Sequence, residues 1–312
     1  MSGFIPRVLA AAIVAAVLPA CGGGGSGSNV GGPPPTAAPT SQASATPTPG
    51  PPPTTTPTPA ALQYTGRVVD ADHGNAPVAG AAVSVGTSFG YVAGSGYVLG
   101  GITANTATIA DGSFTISGSG SPLYIQIVHA GLISAHRPLP AAPITGLKML
   151  ALPTAMIDES AGLSELNVNR AKFGFGQGTQ PLTMDADIVL AARAHAQDEA
   201  LRGYFSHVAP GTNVSFSVAY VDSLGGFNAN PLFIQENLAE APGTSGTLSI
   251  ANDSYIGAGP NDGHYQNVIS KTSLWVGFGE AFGGKPDPGS SGNATESYFV
   301  ENYIMSTANP AP

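Results

Sequence analysis

Hydrophobic and polar positions alternate with a period of two between residues 63 and 152. The alternation is clearest in four runs, at 64–69, 81–85, 114–116 and 124–128. Glycine and proline separate the runs, and few helix signals lie between them. Short strands at this spacing predict a small antiparallel β-sandwich over residues 63–152.

After Pro153 the hydrophobic period becomes helical. The first predicted helix is capped by Asp158 or Ser160 and ends near the glycines of 173–176. Along its length it carries Leu163, Leu166 and Arg170.

The second predicted helix starts at Thr183 and stops before Gly203. Asp185 and Asp187 fall in its first turn, where the helix dipole favours negative charge, so they need no catalytic explanation. His195 lies on an apolar stripe rich in alanine, which predicts a hydrogen-bonded core histidine and close approach by a neighbouring element.

Two strands are predicted near the C-terminus, at 274–279 and 297–303, with a loop rich in Gly, Pro and Ser between them. Helices followed by strands predict a sheet covered by helices. The expected fold class is therefore α+β, with an all-β sandwich before the helical part.

The first 21 residues predict an export signal. Arg7 precedes an apolar stretch at 8–18 that is too short to span a membrane, and small residues follow. The sequence Leu18-Pro19-Ala20-Cys21 resembles the lipobox of bacterial lipoproteins. That resemblance implies lipidation of Cys21 and anchoring to a membrane of the bacterial envelope on its extracytoplasmic side. An ordinary signal peptide with an incidental cysteine is the alternative.

Residues 22–62 consist almost entirely of Gly, Ser, Pro, Thr and Ala. Such a segment cannot bury enough apolar area to offset its ordering entropy, which predicts a disordered tether. A proline-rich ligand for a partner domain is the weaker alternative, because no basic residue flanks a Pro-x-x-Pro motif.

Composition narrows the possible partners. The chain has a net charge of -9 and only 10 Lys and Arg residues, which excludes a basic surface for nucleic acid. Its single cysteine excludes an intrachain disulfide.

Three segments of the β region, at 66–70, 77–81 and 111–114, resemble the carboxypeptidase regulatory-like (transthyretin-like) domains of secreted bacterial proteins. The insert at 89–102 departs from that pattern. The run Gly86-Thr87-Ser88-Phe89-Gly90 matches a nucleophile elbow, but it lies among strands without a following helix, so we expect no nucleophile there. His129 and His136 are interpreted as strand-edge residues rather than ligands.

An ordered set of motifs between about 160 and 303 resembles the CAP superfamily (SCP/PR-1 domain). The motifs are Leu166-Asn167 through Arg170, Pro181-Leu182-Thr183-Met184-Asp185, Ala194-His195-Ala196, Gly203-Tyr204-Phe205-Ser206-His207, Glu236-Asn237-Leu238-Ala239, Gly263-His264-Tyr265-Gln266-Asn267-Val268 and Trp275-Val276-Gly277-Phe278-Gly279. The resemblance implies an α-β-α sandwich over 158–306, with a cleft that holds two histidines and two acidic residues.

The positions that match the cleft residues are His207, Glu236 and His264. The resemblance implies that His207 and His264 bind a divalent metal such as zinc. The second acidic residue has no clear match, and Asp253 and Glu240 are the available carboxylates. Asn237 is expected to hold a loop or a helix start.

The resulting expectation is an envelope-anchored protein whose cleft binds a divalent metal and a small or peptidic ligand. Three alternatives stay open: a non-enzymatic adhesion module, binding of an apolar ligand or lipid, and histidines that merely bond backbone and pack the cleft wall. No carboxylate is recognisably poised for acid-base chemistry, so binding is favoured over catalysis.

Overall fold

The computed structural model describes residues 61–174, 178–224, 232–286 and 293–306, all of which belong to one compact unit. They form a mixed α+β structure, which confirms the predicted fold class. The predicted signal segment, Cys21 and nearly all of the predicted tether lie outside the described residues. Within these ranges, no helix combines the length and the apolar character needed to cross a bilayer.

Ten strands precede the first helix: β1 Leu62–Asp70, β2 Ala76–Pro77, β3 Ala82–Gly86, β4 Ser88–Val92, β5 Gly96–Gly100, β6 Ala104–Ala107, β7 Ser113–Gly118, β8 Leu123–Val128, β9 Ala135–Leu139 and β10 Leu150–Leu152. One sheet has the order β10-β1-β2 with β7 also paired to β1, and the other has the order β6-β3-β8-β9. Alternate residues of both sheets, such as Tyr64, Val83 and Ile125, meet in one hydrophobic core. We refer to residues 62–152 as the β-sandwich.

The insert at 89–102 forms most of a separate hairpin, β4–β5. Its aromatic side chains lie outside the hydrophobic core between the two sheets, but Phe89 contacts Tyr124 of β8 with ring centroids 4.7 Å apart. Phe89 and Tyr97 also contact Trp275 edge-on, with ring centroids 4.7 and 6.3 Å away. The hairpin therefore connects the β-sandwich to the C-terminal part of the chain.

The second half comprises α1 Ile157–Phe173, β11 Thr183–Met184, α2 Ala186–Arg202, α3 Phe216–Leu224, β12 Leu232–Pro242, α4 Leu248–Gly257, α5 Gly263–Ile269, β13 Ser273–Pro286 and β14 Asn293–Ser306. Its sheet has the order β11-β13-β14-β12, so β12 is an edge strand. The predicted strands at 274–279 and 297–303 are confirmed as parts of β13 and β14.

Helices cover both faces of this sheet. On one face, Phe278 and Phe299 pack with Leu166 of α1, Leu248 of α4 and Val268 of α5. On the other face, the side chains of β13 and β14 pack with α2 and α3. A strand that is buried on both faces shows no hydrophobic alternation.

Glycines of β13 let α2 lie directly on the sheet. A Cβ added at Gly279 would lie 2.1 Å from the carbonyl oxygen of Ala192, and one at Gly283 would lie 2.1 Å from that of Ala200. The alanine stripe of α2 meets these glycines, as the sequence predicted for a closely approached helix. This contact fixes the height of α2 above the strands.

Several local predictions need correction. The first helix is preceded by Met156, whose backbone N–H donates to Glu159 Oε2 over 2.9 Å, so neither Asp158 nor Ser160 is the cap. The second helix begins at Ala186, because Thr183 pairs with Trp275 as a short strand and Asp185 is the N-cap.

Asn237 lies in the middle of β12, and its side chain donates to the carbonyl oxygen of His264 in the first turn of α5, so it holds a helix start as expected. The helices α3, α4 and α5 and the strand β12 were not predicted as elements. Each is short or rich in small and polar residues, which hides the periodicity of its buried positions.

Candidate functional site

Glu236 is the centre of a buried hydrogen-bond cluster on β12. Its Oε1 lies 2.9 Å from Nδ1 of His207, and its Oε2 lies 3.0 Å from Nδ1 of His195. Ser217 Oγ donates to Oε2 over 2.5 Å and accepts from Asn302 Nδ2 over 2.9 Å. Two of the three predicted cleft residues, His207 and Glu236, are thus in direct contact.

Local structure brings His207 to this carboxylate. Helix α2 ends at Gly203 in the left-handed conformation, with φ of 66°, which turns the chain back along the helix. The returning segment is held by Ser206, whose backbone N–H donates to Glu199 Oε1 over 3.1 Å. The carbonyl oxygen of His207 then accepts from the backbone N–H of Phe216, at the start of α3.

The cluster favours an ionised Glu236. Burial opposes ionisation, but hydrogen bonds from His195, His207 and Ser217 more than compensate, and the pKa of Glu236 lies below its usual value. An ionised carboxylate only accepts hydrogen bonds, so both histidines donate from Nδ1. For a neutral His207, this leaves the Nε2 lone pair available to a ligand.

His195 is fully buried and hydrogen-bonded, as predicted for a core histidine. Its partner is nevertheless the predicted site carboxylate, and its ring stacks on Phe216 at 4.7 Å. Its Nε2 lies 3.1 Å from the carbonyl oxygen of Ser206. Both ring nitrogens of His195 therefore face hydrogen-bond acceptors.

Glu199, one turn after His195 on α2, is the second buried carboxyl on this side of the sheet. Burial raises the pKa of Glu199 to about 9, against a lowering hydrogen bond from Ser206, and the charge of Glu236 adds to the increase. Glu199 is therefore protonated at neutral pH. Its Oε2 is buried without a hydrogen-bond partner among the described residues. In the sequence, nothing marks this residue beyond a charge on a largely apolar helix.

His264 lies in the first turn of α5. Its Nδ1 and its backbone nitrogen both lie 2.8 Å from Oδ1 of Asp262, the N-cap of α5. Burial raises the pKa of Asp262, but these hydrogen bonds outweigh it and lower the pKa, so the carboxylate is ionised and His264 donates from Nδ1. The ring stacks on Tyr255 at 5.4 Å.

Asn237 and Tyr255 relate His264 to the part of β12 that carries Glu236. Asn237, the next residue on β12, donates from Nδ2 to the carbonyl oxygen of His264 over 3.1 Å and accepts from Asn267 over 2.8 Å. Tyr255 is buried, and its pKa is raised first by burial and then by the charges of nearby carboxylates, Glu236 among them. His264 therefore lies beside the same short length of β12, although no hydrogen bond or ion pair among the described residues joins it to Glu236 or His207.

A buried arginine holds α5 beside the site. Arg170 of α1 donates to the carbonyl oxygens of Val268 and Ser270 over 2.5 and 3.0 Å, at the C-terminal end of the helix that carries His264. Its pKa is lowered to about 10, chiefly by burial. The placement of His264 therefore depends on α1 as well as on β12.

The carboxylate beside the second histidine is neither of the two considered from the sequence. Asp253 accepts instead from Asn169 over 3.3 Å, on the α1 side of α4. Asp262 occupies the position next to His264. An aspartate two residues before a histidine, a residue type that commonly caps helices, is the sequence signal that would have found it.

The donor chemistry of the two histidines fits a divalent metal. In each, a carboxylate binds Nδ1 and leaves Nε2 free to coordinate, which is the usual arrangement of metal-bound imidazoles. Within the described ranges, no group of three or more His, Cys, Asp and Glu side chains is arranged to hold a metal ion. A metal bound by these two residues would therefore take its remaining ligands from solvent or from a bound molecule.

No protein-family model and no curated protein matches the chain. Among solved structures, an outer surface protein from Borrelia burgdorferi is 16% identical, with a TM-score of 0.34, over 48% of this chain and 93% of that chain. The shaft pilin SpaA from Lactobacillus rhamnosus GG is 13% identical, with a TM-score of 0.24, over 32% of this chain and 49% of the pilin. A 3-chlorocatechol 1,2-dioxygenase from Rhodococcus opacus 1CP reaches a TM-score of 0.22 at 13% identity, over 30% of this chain and 60% of the enzyme. Similarities at this level assign the chain to none of these proteins' families.

Proposed function

We propose that residues 158–306 form a CAP-type domain whose cleft binds a divalent cation, such as zinc, through His207 and His264. A small or peptidic ligand would complete the coordination of the cation. The observation that carries this proposal is the pairing of each imidazole with a carboxylate at Nδ1, His207 with Glu236 and His264 with Asp262. The ordered motifs of the sequence support it independently.

The pairing has a chemical consequence for binding. A carboxylate hydrogen-bonded to the second ring nitrogen fixes the tautomer and increases the basicity of the coordinating nitrogen. The side chain of His207 is 28% exposed and that of His264 is 18% exposed, so both are accessible in part. Only two protein ligands favour exchange of the bound molecule over a closed structural metal site.

We propose binding rather than turnover. The protonated carboxyl of Glu199 is buried, and Glu236 is fully engaged by three donors. Neither group is presented to a substrate as a free acid or base.

Zinc titration calorimetry of the purified full chain in detergent, prepared without a polyhistidine tag, tests the cation site. His207→Ala and His264→Ala should each remove most of the heat of binding. His73→Ala is the matched control, because His73 also pairs with a carboxylate, Asp70 at 2.9 Å, but on the exposed surface of the β-sandwich. Equal heats for the wild type and for both site variants would refute the proposal.

The location of the protein is a second part of the proposal. The lipobox-like sequence at Cys21 and the uncharged segment after it support a protein held by lipid on the extracytoplasmic side of a bacterial membrane. Replacing Cys21 with Ala should move the protein from the membrane fraction to the soluble fraction. An unchanged membrane fraction for this variant would contradict lipid anchoring at that residue.

A further inference from the structure

Arg137 of the β-sandwich binds two helices of the second half of the chain, α2 and α3. Its Nε and Nη2 donate to the two carboxylate oxygens of Asp187 over 2.6 and 2.7 Å, which makes a bidentate ion pair in the first turn of α2. Its Nη1 donates to the carbonyl oxygen of Leu224, the last residue of α3, over 3.1 Å. Arg137 and Asp187 are both buried.

These two helices supply side chains to Glu236. His195 lies two turns beyond Asp187 on α2, and Ser217 lies in the first turn of α3. One guanidinium group therefore binds both helices that supply side chains to the central carboxylate. Arginine suits this role because its planar fork fixes the direction of each hydrogen bond, which lysine does not.

Neighbouring contacts reinforce the same junction. The backbone nitrogen and Nδ1 of His136 both lie 2.9 Å from Asp185 Oδ2, which holds the N-cap of α2 against β9. Lys148 Nζ donates to the carbonyl oxygen of Ser223, next to the carbonyl that Arg137 binds. The β-sandwich thus contacts α2 at its start and α3 at its end.

We propose that Arg137 is a positioning residue of the candidate site, and that the β-sandwich is a working part of that site rather than a spacer. The guanidinium orients α2 and α3 so that His195 and Ser217 bind Glu236, and Glu236 is then held in position to fix the ring of His207. The expected loss of zinc affinity rests on the proposed function. The expected change in the orientation of the histidines does not rest on it.

The test uses the full chain labelled with ¹⁵N-histidine, in detergent, and follows the Nδ1–H signals of His195 and His207, assigned with single His→Ala variants. Arg137→Met should shift or abolish both signals, and it should weaken zinc binding about tenfold or more, as changes around metal-bound histidines commonly do. Arg137→Lys keeps a charge beside Asp187 but not the fork, and should shift both signals as well.

Ile116→Ala is the matched control. Ile116 is buried in the β-sandwich core on β7, which pairs with β1 rather than with β9, so its truncation lowers stability without touching the junction. Both histidine signals should keep their wild-type positions in this variant.

The outcomes separate the two proposals. Wild-type histidine signals in Arg137→Met would overturn the positioning role. If Arg137→Met does not fold, wild-type signals in Arg137→Lys would do the same. Loss of both signals in Ile116→Ala would also overturn it. If the wild-type chain binds no zinc while Arg137→Met still loses both signals, the cation site fails and the positioning role stands.

Discussion

Nδ1 of His207 lies 2.9 Å from Oε1 of Glu236, a residue 29 positions further along the chain. The same carboxylate holds His195 and Ser217 through its other oxygen. A single side chain on an edge strand therefore connects the loop after α2, the body of α2 and the start of α3. Changes at Glu236 should affect the histidine that faces solvent and the fold around it together.

Replacing Glu236 with Gln tests that connection. The amide has only one acceptor oxygen, so it cannot accept from three donors as the carboxylate does, and His207 loses its fixed tautomer. We expect zinc affinity to fall about 10- to 100-fold, measured by titration calorimetry. Asp70→Asn makes the same chemical change beside the exposed His73 and should leave the affinity unchanged. Wild-type affinity in Glu236→Gln would show that His207 does not need its carboxylate partner.

Glu199 should make the chain less stable as the pH rises. Burial raises the pKa of Glu199 to about 9, so the folded state keeps a proton that the unfolded state has already lost. The contribution of Glu199 to the free energy of unfolding is fully present below the ordinary glutamate pKa. It decreases as the pH rises from there, and it is gone once the pH has passed about 9. The slope contributed by one group is at most about 1.4 kcal/mol per pH unit.

Glu199→Gln removes this titration and should flatten the dependence of the unfolding free energy on pH between pH 5 and 9, measured by urea denaturation. Asp198→Asn, at the neighbouring and partly exposed position on α2, is the control and should keep the wild-type slope. The same slope in Glu199→Gln as in the wild type would contradict a buried, protonated Glu199.

Part of the fold was predictable from the sequence because it obeys simple periodicities. The runs around Val83 and Ile125 alternate cleanly, since each strand has one buried face. The stop of α2 was marked by Gly203, which takes the left-handed conformation. Strand β12 lacks this alternation. Glu236 and Asn237 are both buried, on opposite faces of the strand, so polar residues occupy positions where an apolar residue would normally indicate a strand.

The candidate site was predictable only where the motifs were local. His207, Glu236 and His264 came from their motifs, whereas the role of His195 depends on a contact across 41 positions. No sequence pattern indicated a role for Arg137. Its partner Asp187 lies 50 positions away, in the part of the chain where the hydrophobic period is helical rather than strand-like. Such pairings are set by tertiary packing, which periodicity does not encode.

Adding a methyl group at Gly279 should separate α2 from the sheet. A Cβ there would lie 2.1 Å from the carbonyl oxygen of Ala192, and backbone cannot yield as a flexible side chain can. We expect Gly279→Ala to lower stability by about 3 kcal/mol or more, measured by thermal or urea denaturation. Gly90→Ala is the control, because a Cβ at this strand position meets no atom within 4 Å. Equal stabilities for the two variants would contradict the close contact between α2 and β13.

Trp275 is the only tryptophan of the chain and reports on the contact between the β-sandwich and the sheet β11-β13-β14-β12. It is fully buried, with Phe89 edge-on at 4.7 Å and His136 stacked at 4.5 Å. Phe89→Ala should open the indole to water and move its fluorescence emission to longer wavelength. Because Phe89 is partly buried, the loss of stability should be about 2 kcal/mol. Val92→Ala changes an exposed residue of the same strand and should leave emission and stability unaltered. A wild-type emission maximum in Phe89→Ala would mean that the hairpin does not shield Trp275, and the junction around Arg137 would then lose its aromatic support.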